Sequence, residues 1–537
     1  VTKDGTNSAV TDYDVVVVGA GAGGIFAVHE FKEKGLSVLG LESGSGFGGV
    51  WFHNRYPGAR VDVESYFYCY VDPKIYSEWK WSERYAAQPE ILAYLNFAAD
   101  KYDVRGNYKF STRMTGAQWD PSTDSYTIAM SDGKAVTARV LVMATGQLSE
   151  ARKPSFDGLD DFKGEWVQTS HWPEHPVALK GKRIAVIGTG SSGVQVIPQL
   201  AKEAERLYVF QRTANYSVPA QNSPMDEGRY QDIARGVEDV WRELVGTFSG
   251  TRNPRGSARA ADMSPEEQQQ LLQERWEHGG HTMNSVFTDQ SSNADANAIV
   301  AEFVRDKVRQ TVKDPAVAEK LIPTEYPIGS RRLCVDIGYY ETYNRDNVTL
   351  VNVKADPIER ITPHGIKTRD QEFEVDLIVF ALGFDAFTGA LDQSNIRNEK
   401  GEQPTDKWDR GPKTFLGLMT TGFPNLFIVT GPGSPSVLAN MILGNMQHVR
   451  FIANALTYMK DHGHTRIEPT EEAQTEWTAH VADAASKLLR LGVENYMVHV
   501  NKDDQSRTFI PYAGGLDKYV ARTNAVEENG YQGFAFA

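Results

Sequence analysis

Two glycine clusters supply the first chemistry in this sequence, because their spacing suits backbone amides to phosphate. Gly19, Gly21 and Gly24, with Gly23 among them, follow an apolar run at residues 14–18 and precede an amphipathic stretch reaching about residue 34. In such a strand–turn–helix the first glycine permits a tight turn and the second lets backbone approach a pyrophosphate. The third lets helix pack on strand. The helix N-terminus then faces the phosphates with its partial positive charge. The next apolar run, residues 37–41, ends in Glu42, 18 residues after Gly24. A carboxylate there accepts hydrogen bonds from ribose hydroxyls and repels a 2′-phosphate. That pattern fits FAD.

The unit recurs. An apolar run at residues 183–187 leads into Gly188, Thr189, Gly190, Ser191, Ser192 and Gly193, then Val194, Gln195 and a helix to about residue 203. Its second strand, residues 206–210, ends in Gln211, Arg212 and Thr213, so a guanidinium replaces the acid. Arginine binds a 2′-phosphate through charge-assisted, bidentate hydrogen bonds, which points to NADPH. A solvated strand-end cation is the other reading of Arg212. A chain holding both cofactors can pass a hydride from nicotinamide to flavin. A disulfide reductase would need paired cysteines. The two present, Cys69 and Cys334, are far apart, so molecular oxygen is the expected acceptor.

The elements that position these residues form two βαβ units, predicting an α/β fold with two doubly wound Rossmann-like dinucleotide-binding domains. The expected division is an FAD-binding domain from 1–147 and 383–537. An NADPH-binding domain comes from 148–217 and 327–382, with a helical insertion at 218–326. The insertion is charged and Gln-rich, with a capping box at Ser264 and Glu267 and Pro265 at the first helical position. Further strands are expected at 348–353, 376–382 and 425–429, and helices that contain 471–489. With 537 residues, 41% apolar and 23% charged, the composition is that of a globular protein of two or three domains. A net charge of −14 argues against a nucleic-acid partner. No run approaches the roughly 20 apolar residues of a membrane helix. The polar start, residues 1–12, lacks a signal-peptide core and reads as a frayed tail, with a reducing cytoplasm the expected compartment. His29 and His53 are lone histidines, and neither is assigned a metal.

Three longer motifs carry a resemblance. Residues 49–62 (GVWFHNRYPGARVD) follow a G-G-x-W-x-x-x-x-Y-P-G-x-x-x-D signature; residues 323–348 include Arg331, Arg332 and YYETYNRDNV; and residues 430–436 read TGPGSPS. In these the chain resembles the type I Baeyer–Villiger monooxygenases over residues 14–536, with 430–436 most like the phenylacetone and steroid monooxygenase branch. The family's linker fingerprint, F-x-G-x-x-x-H-x-x-x-W-P, is matched at Phe162, Gly164, Trp172 and Pro173, but Gln168 holds the histidine position and His171 lies three residues later. Two further departures are Ala381-Leu382-Gly383, where Ala-Thr-Gly is usual, and Tyr496 at a tryptophan position.

The resemblance implies that reduced flavin and oxygen give a peroxide anion that attacks a ketone, producing an ester or lactone, NADP+ and water. It implies Arg332 as the fixed positive charge and Asp62 as its partner. It places Glu42, Gly49, Val50, Trp51, Phe52, His53, Asp62, Tyr68, Met114 and Met441 at FAD. Arg60, Val61, Gln147, residues 188–195, Arg212, Thr213, Arg331, Arg332 and Tyr496 fall at NADPH, and Ser436, Val437 and Leu438 at a pocket for bulky, large-ring, steroid or aryl ketones. The protein is expected to act as a monomer, with a dimer left open. Two rival readings stay open: a flavin monooxygenase oxidising amine nitrogen or sulfide sulfur, and an uncoupled NADPH oxidase or flavin sensor.

Overall fold

The run YDVVVV becomes the strand Tyr13–Val18, whose alternation sends Val15 and Val17 into one apolar cluster and Val16 into another. The computed structural model describes residues 11–225, 236–501 and 503–537. An eight-stranded sheet has the order Ile396–Arg397, Met114–Asp120, Ser125–Met130, Ala135–Met143, Tyr13–Val18, Val38–Leu41 and Tyr108–Lys109. Leu426–Ile428 is its eighth strand. The long strand Ala135–Met143 is shared along one edge. Val136 and Ala138 pair antiparallel with Ile128 and Tyr126, whereas Leu141 and Met143 pair parallel with Leu426 and Ile428.

Helices Ala22–Glu33 and Met441–His462 cover one face of that sheet, burying Ile25, Phe26, Val28, Met446 and Val449 with Val15 and Val17. Across the sheet, Trp119, Tyr126 and Ile128 of the antiparallel strands join Val16, Leu39 and Leu41. The sheet is therefore buried on both sides.

The second sheet is wholly parallel, in the order Val348–Asn352, Arg206–Gln211, Arg183–Ile187, Leu377–Phe380, Glu165–Gln168. Helix Ser191–Glu203 lies on one face, where Val194, Ile197 and Leu200 meet Ile184, Val186 and Leu207. A small antiparallel sheet, Ile358–Thr362, Gly365–Thr368 and Glu372–Glu374, covers the other with Ile361, Ile366 and Phe373.

The insertion contributes helices Val237–Val245, Pro265–His278, Ala294–Thr311 and Pro315–Leu321; part of it, 226–235, lies outside the described residues. The capping box forms: Glu267 N donates to Ser264 Oγ at 3.2 Å and Ser264 N to Glu267 Oε2 at 2.7 Å. Although interrupting the second unit in sequence, the insertion buries Leu272, Phe287, Val300 and Val304 in the cluster of the first sheet. Val308, Val312 and Leu321 join the second. It bridges the two. Of the helical span expected over 471–489, the helix ends earlier, as Glu471–Ala485, where Ser486 Oγ turns back to bond Asp483 O. Of the expected frayed tail, residues 1–10 lie outside the described residues. Asp12 is anchored: its carboxylate accepts from Thr137 N at 2.8 Å.

One buried histidine makes this core sensitive to acid. Thr430 N donates to His448 Nδ1 at 3.0 Å, so the neutral ring carries its proton on Nε2, which lies 2.7 Å from Tyr519 Oη. Tyr519 in turn donates to Leu416 O. Burial depresses His448 to about 3. The unfolded chain takes up that proton near pH 6.5, so the stability His448 confers is complete above that pH and is lost as pH falls toward 3. The loss is at most ~1.4 kcal/mol per pH unit. In thermal melts between pH 7 and 4, His448→Gln is expected to flatten the dependence of Tm on pH. Parallel curves for the two proteins would contradict this.

Candidate active site

The two glycine clusters fold alike. Gly19 has φ 111°, and a Cβ there would sit 2.5 Å from Ala144 O; a Cβ on Gly24 would sit 1.9 Å from Gly19 O. In the second unit Gly188 has φ 113°, with a Cβ 2.3 Å from Ala381 O, and a Cβ on Gly193 would lie 2.3 Å from Gly188 O. Ala381 thus does through its backbone what Ala144 does, and the departure at Leu382 falls on a side chain packed in the apolar cluster behind the sheet. Nothing lies within 4 Å of a Cβ at Gly190. That space opens at the uncapped start of helix Ser191–Glu203, where free first-turn amides favour an anion. At the first cluster, Gly21 faces Gly49, whose added Cβ would lie 2.8 Å from Gly21 Cα.

Glu42 is buried and ends its strand as expected. Its carboxylate accepts from Ala20 N at 2.8 Å and Gly44 N at 2.6 Å. Ser43 Oγ also donates to Oε1 at 3.3 Å, so three donors leave about one of its four lone-pair positions for a ribose. In the second unit Arg212 is exposed, and Thr189 Oγ1 donates to Thr213 O at 3.2 Å, drawing the strand end toward the glycine turn. Arg331 stacks on Tyr326, its Cζ 4.7 Å from the ring centroid, with Nε buried and unpartnered.

Between the two units stands a charged pair. Arg332 Nε donates to Asp62 Oδ2 at 2.7 Å and Nη2 to Asp62 Oδ1 at 2.8 Å, a fork-on-carboxylate contact, while Nη1 donates to Val437 O at 3.1 Å. Burial pushes the Asp62 carboxyl up, but the Arg332 guanidinium and His281 outweigh it and hold it well below the ordinary range. Burial lowers Arg332, and Asp62 more than restores it, so the guanidinium stays charged. Val437 and Leu438 share an apolar cluster with Phe387, Leu488, Leu491 and Tyr496, beside the arginine. The Tyr496 ring lies 6.3 Å from Phe387 in a stacked arrangement.

The other expected residues divide. Trp51 Nε1 donates to Tyr68 Oη at 3.1 Å, and burial pushes Tyr68 up to about 12. Phe52 packs over the turn at Gly44 and Gly46 and under Arg55. Val61 is buried; the Arg60 guanidinium is committed to Glu83 at 2.7 Å, and the Arg60 backbone bonds Gln195. Met114 sits in the core with Val16 and Leu39, and Met441 opens the helix that Asn440 caps. Gln147 Nε2 donates to Thr430 O, leaving Oε1 buried without a partner. Ser330 Oγ and Ser436 Oγ are likewise unpartnered. Gln147 Oε1, Arg331 Nε and Ser436 Oγ fall on residues of the NADPH and substrate sets, and Ser330, outside those sets, adjoins Arg331; such atoms suit a polar ligand there, although others lie elsewhere in the protein.

In the linker, Gln168 Nε2 donates to Arg152 O at 2.9 Å, whereas the His171 ring lies 5.0 Å from that of His53. Trp172 N donates to His53 O at 3.1 Å. Burial lowers both histidines. His29 stacks on Tyr102 at 4.0 Å, and burial depresses it to about 4. Its ring, Glu30 and Asp72 bring ligand-type atoms within 4.8 Å of one another.

Sequence reasoning missed two residues. Tyr56 Oη donates to Gln195 Oε1 at 2.8 Å, tying the signature motif to helix Ser191–Glu203. His281, from the insertion, places Nε2 3.4 Å from Asp62 Oδ2. The Gly279-Gly280 pair before it was the available signal.

Residues 12–230 match the family described as FMO-like, flavin-binding monooxygenase-like. Over 98% of both chains the protein is 41% identical to 2-oxo-Delta(3)-4,5,5-trimethylcyclopentenylacetyl-CoA monooxygenase of Pseudomonas putida. It is 39% identical to a Baeyer–Villiger monooxygenase of Pseudooceanicola batsensis, over 99% of this chain and 97% of that one. Among solved structures, an oxidised steroid monooxygenase bound to NADP superposes with a TM-score of 0.93 at 44% identity, covering 98% of this chain and 99% of that one.

Proposed function

The chain belongs to the Baeyer–Villiger monooxygenases, within the flavin-binding monooxygenase-like family, and from that premise we propose that it converts bulky ketones to esters or lactones, with Arg332 as the fixed charge the reaction requires. It is an FAD- and NADPH-dependent monooxygenase. Bound FAD, reduced by NADPH, supplies the two-electron chemistry toward oxygen.

The observation that carries the reading is the forked Asp62–Arg332 contact beside an apolar wall. Arginine remains protonated when desolvated, so it can face the negative charge that develops on the ketone oxygen. Asp62 offsets the cost of burying that cation and fixes its plane. The open cradle at Gly190 and the uncapped helix behind it receive the NADPH pyrophosphate, with Arg212, Thr213 and Arg331 for the 2′-phosphate. Gly19 to Gly24, Glu42 and Gly49 to His53 hold FAD. Val437, Leu438, Phe387 and Tyr496 exclude water and accept large-ring, steroid or aryl ketones, in keeping with the steroid monooxygenase likeness. The segments 1–147 and 383–537 serve FAD, and 148–217 with 327–382 serve NADPH.

Among the described residues no helix is long and apolar enough to cross a membrane. Both cysteines are free and buried, in keeping with a reducing compartment such as the cytoplasm; we propose that the protein acts there as a monomer.

Product analysis tests the reading. With NADPH and oxygen, cyclododecanone, phenylacetone and progesterone are expected to yield lactone or ester, and faster than cyclohexanone. Sulfoxide from an added sulfide with no ester from any ketone would overturn the reading in favour of heteroatom oxidation. Hydrogen peroxide equal to the NADPH consumed, whatever ketone is added, would overturn it in favour of an uncoupled oxidase.

A further inference from the structure

The insertion reaches the charged pair through an unusual turn. Helix Pro265–His278 ends at Gly279, φ 78°, followed by Gly280, φ 65°. A Cβ on Gly279 would lie 2.8 Å from both Pro219 O and Ala220 O, and one on Gly280 would lie 2.0 Å from Tyr85 Oη. Only glycine passes between these walls. Arg84 pins the turn from outside, its Nη1 donating to His278 O at 2.7 Å while it pairs with Glu64. The next residue is His281, largely buried, with its side chain 15% exposed.

We infer that His281 is a positioning residue for the reaction proposed above, on which reading this inference rests: it holds the Asp62 carboxylate so that Arg332 keeps its plane and its charge. Asn284 Nδ2 lies 3.3 Å from His281 Nδ1. An amide nitrogen only donates, so Nδ1 accepts and the neutral ring carries its proton on Nε2. That Nε2 faces Asp62 Oδ2 at 3.4 Å, in electrostatic contact but without the geometry of a formed hydrogen bond, and it is buried with no hydrogen-bond partner. Asp62 Oδ2 thus accepts from Arg332 Nε on one side and faces the His281 Nε2–H on the other, while Oδ1 accepts from Arg332 Nη2. The His281 N–H dipole directed at the carboxylate offsets part of its negative charge, leaving Arg332 less neutralised toward the apolar wall, and the contact is close enough to shorten into a hydrogen bond when charge develops there. It also ties the insertion to the charged pair. In this role His281 touches neither cofactor nor ketone and acts through Asp62.

The test compares His281→Phe, which keeps a ring and removes the donor, with His281→Gln, which returns an N–H near Nε2, and with Asn284→Leu at an exposed position that sets the tautomer. His281→Phe is expected to lower kcat for ester formation about tenfold and to raise peroxide released per NADPH, with KM for the ketone changed less than about twofold. His281→Gln recovers most of the loss, and Asn284→Leu lies between. Independently of turnover, nitrogen NMR of histidine-labelled protein is expected to show His281 as the Nε2–H tautomer and to shift on Asp62→Asn. Wild-type kcat in His281→Phe, or no recovery in His281→Gln, overturns the role. So does a loss that follows melting temperature and flavin content across the three variants. A wild-type protein that makes no ester from any ketone overturns both this inference and the function it rests on.

Discussion

Replacing Arg332 with methionine is expected to lower ester formation by a factor of about 100 to 1,000 while NADPH oxidation continues with release of hydrogen peroxide. The magnitude is that of removing one preorganised donor from a developing oxyanion in a dry site. Methionine keeps an unbranched, flexible stem and removes the charge. It also strands Asp62, and an unpaired buried carboxylate costs about 3–5 kcal/mol, so low activity could merely report poor folding. The double variant Arg332→Met with Asp62→Asn separates the two effects: it removes both charges, restores melting temperature, and stays inactive toward ketone. Arg332→Lys is expected to fall between, because an ammonium cannot make the fork to Asp62 and reach Val437 O together. Ester production near the wild-type rate in the double variant would mean the essential charge lies elsewhere, with Arg331 next to be tested.

The second large effect is structural. Gly24→Ala is expected to destabilise the protein by about 3 kcal/mol or more and to yield protein without bound flavin. Its Cβ would sit 1.9 Å from Gly19 O and 3.0 Å from Tyr108 Oη, and the first neighbour is backbone that no rotamer change can move. Gly190→Ala is the informative control. Its Cβ meets nothing within 4 Å, so melting temperature is expected to stay near wild type while the NADPH concentration needed for flavin reduction rises. A stable, flavin-replete Gly24→Ala protein would show that the helix can retreat from the strand. Normal NADPH affinity in Gly190→Ala would show that the cradle is not where the pyrophosphate rests.

These two glycines also show what a linear reading can see. The clusters were legible because their constraint is local: strand, turn and helix are contiguous, and only glycine fits the contacts at Gly19 and Gly24. Glu42 and Arg212 were legible for the same reason, each standing at the end of the strand that follows its turn. Asp62 and Arg332 lie far apart in sequence, and neither periodicity nor spacing joins them; a resemblance in two separate motifs did. The insertion's helices could be read from the capping box at Ser264 and from their charge, but an amphipathic face does not say which core it enters. Leu272 and Phe287 enter that of the first sheet. His281 escaped because its meaning depends on that docking. Gln168 shows the converse. A missing histidine was visible at once, whereas the contact of His171 with His53 needed the linker's path in space.

The strand Ala135–Met143 has a consequence for how the chain is made. Its far half pairs with Leu426–Ile428, whereas every strand of the parallel sheet lies between Glu165 and Asn352 or at Leu377–Phe380. On a ribosome the parallel sheet therefore has all its strands before the first sheet has its last. Until residues 426–428 emerge, half of one edge of Ala135–Met143 presents unpaired amides and carbonyls. The first unit begins synthesis earliest and finishes folding latest, held open by long-range pairing that local contacts cannot hasten.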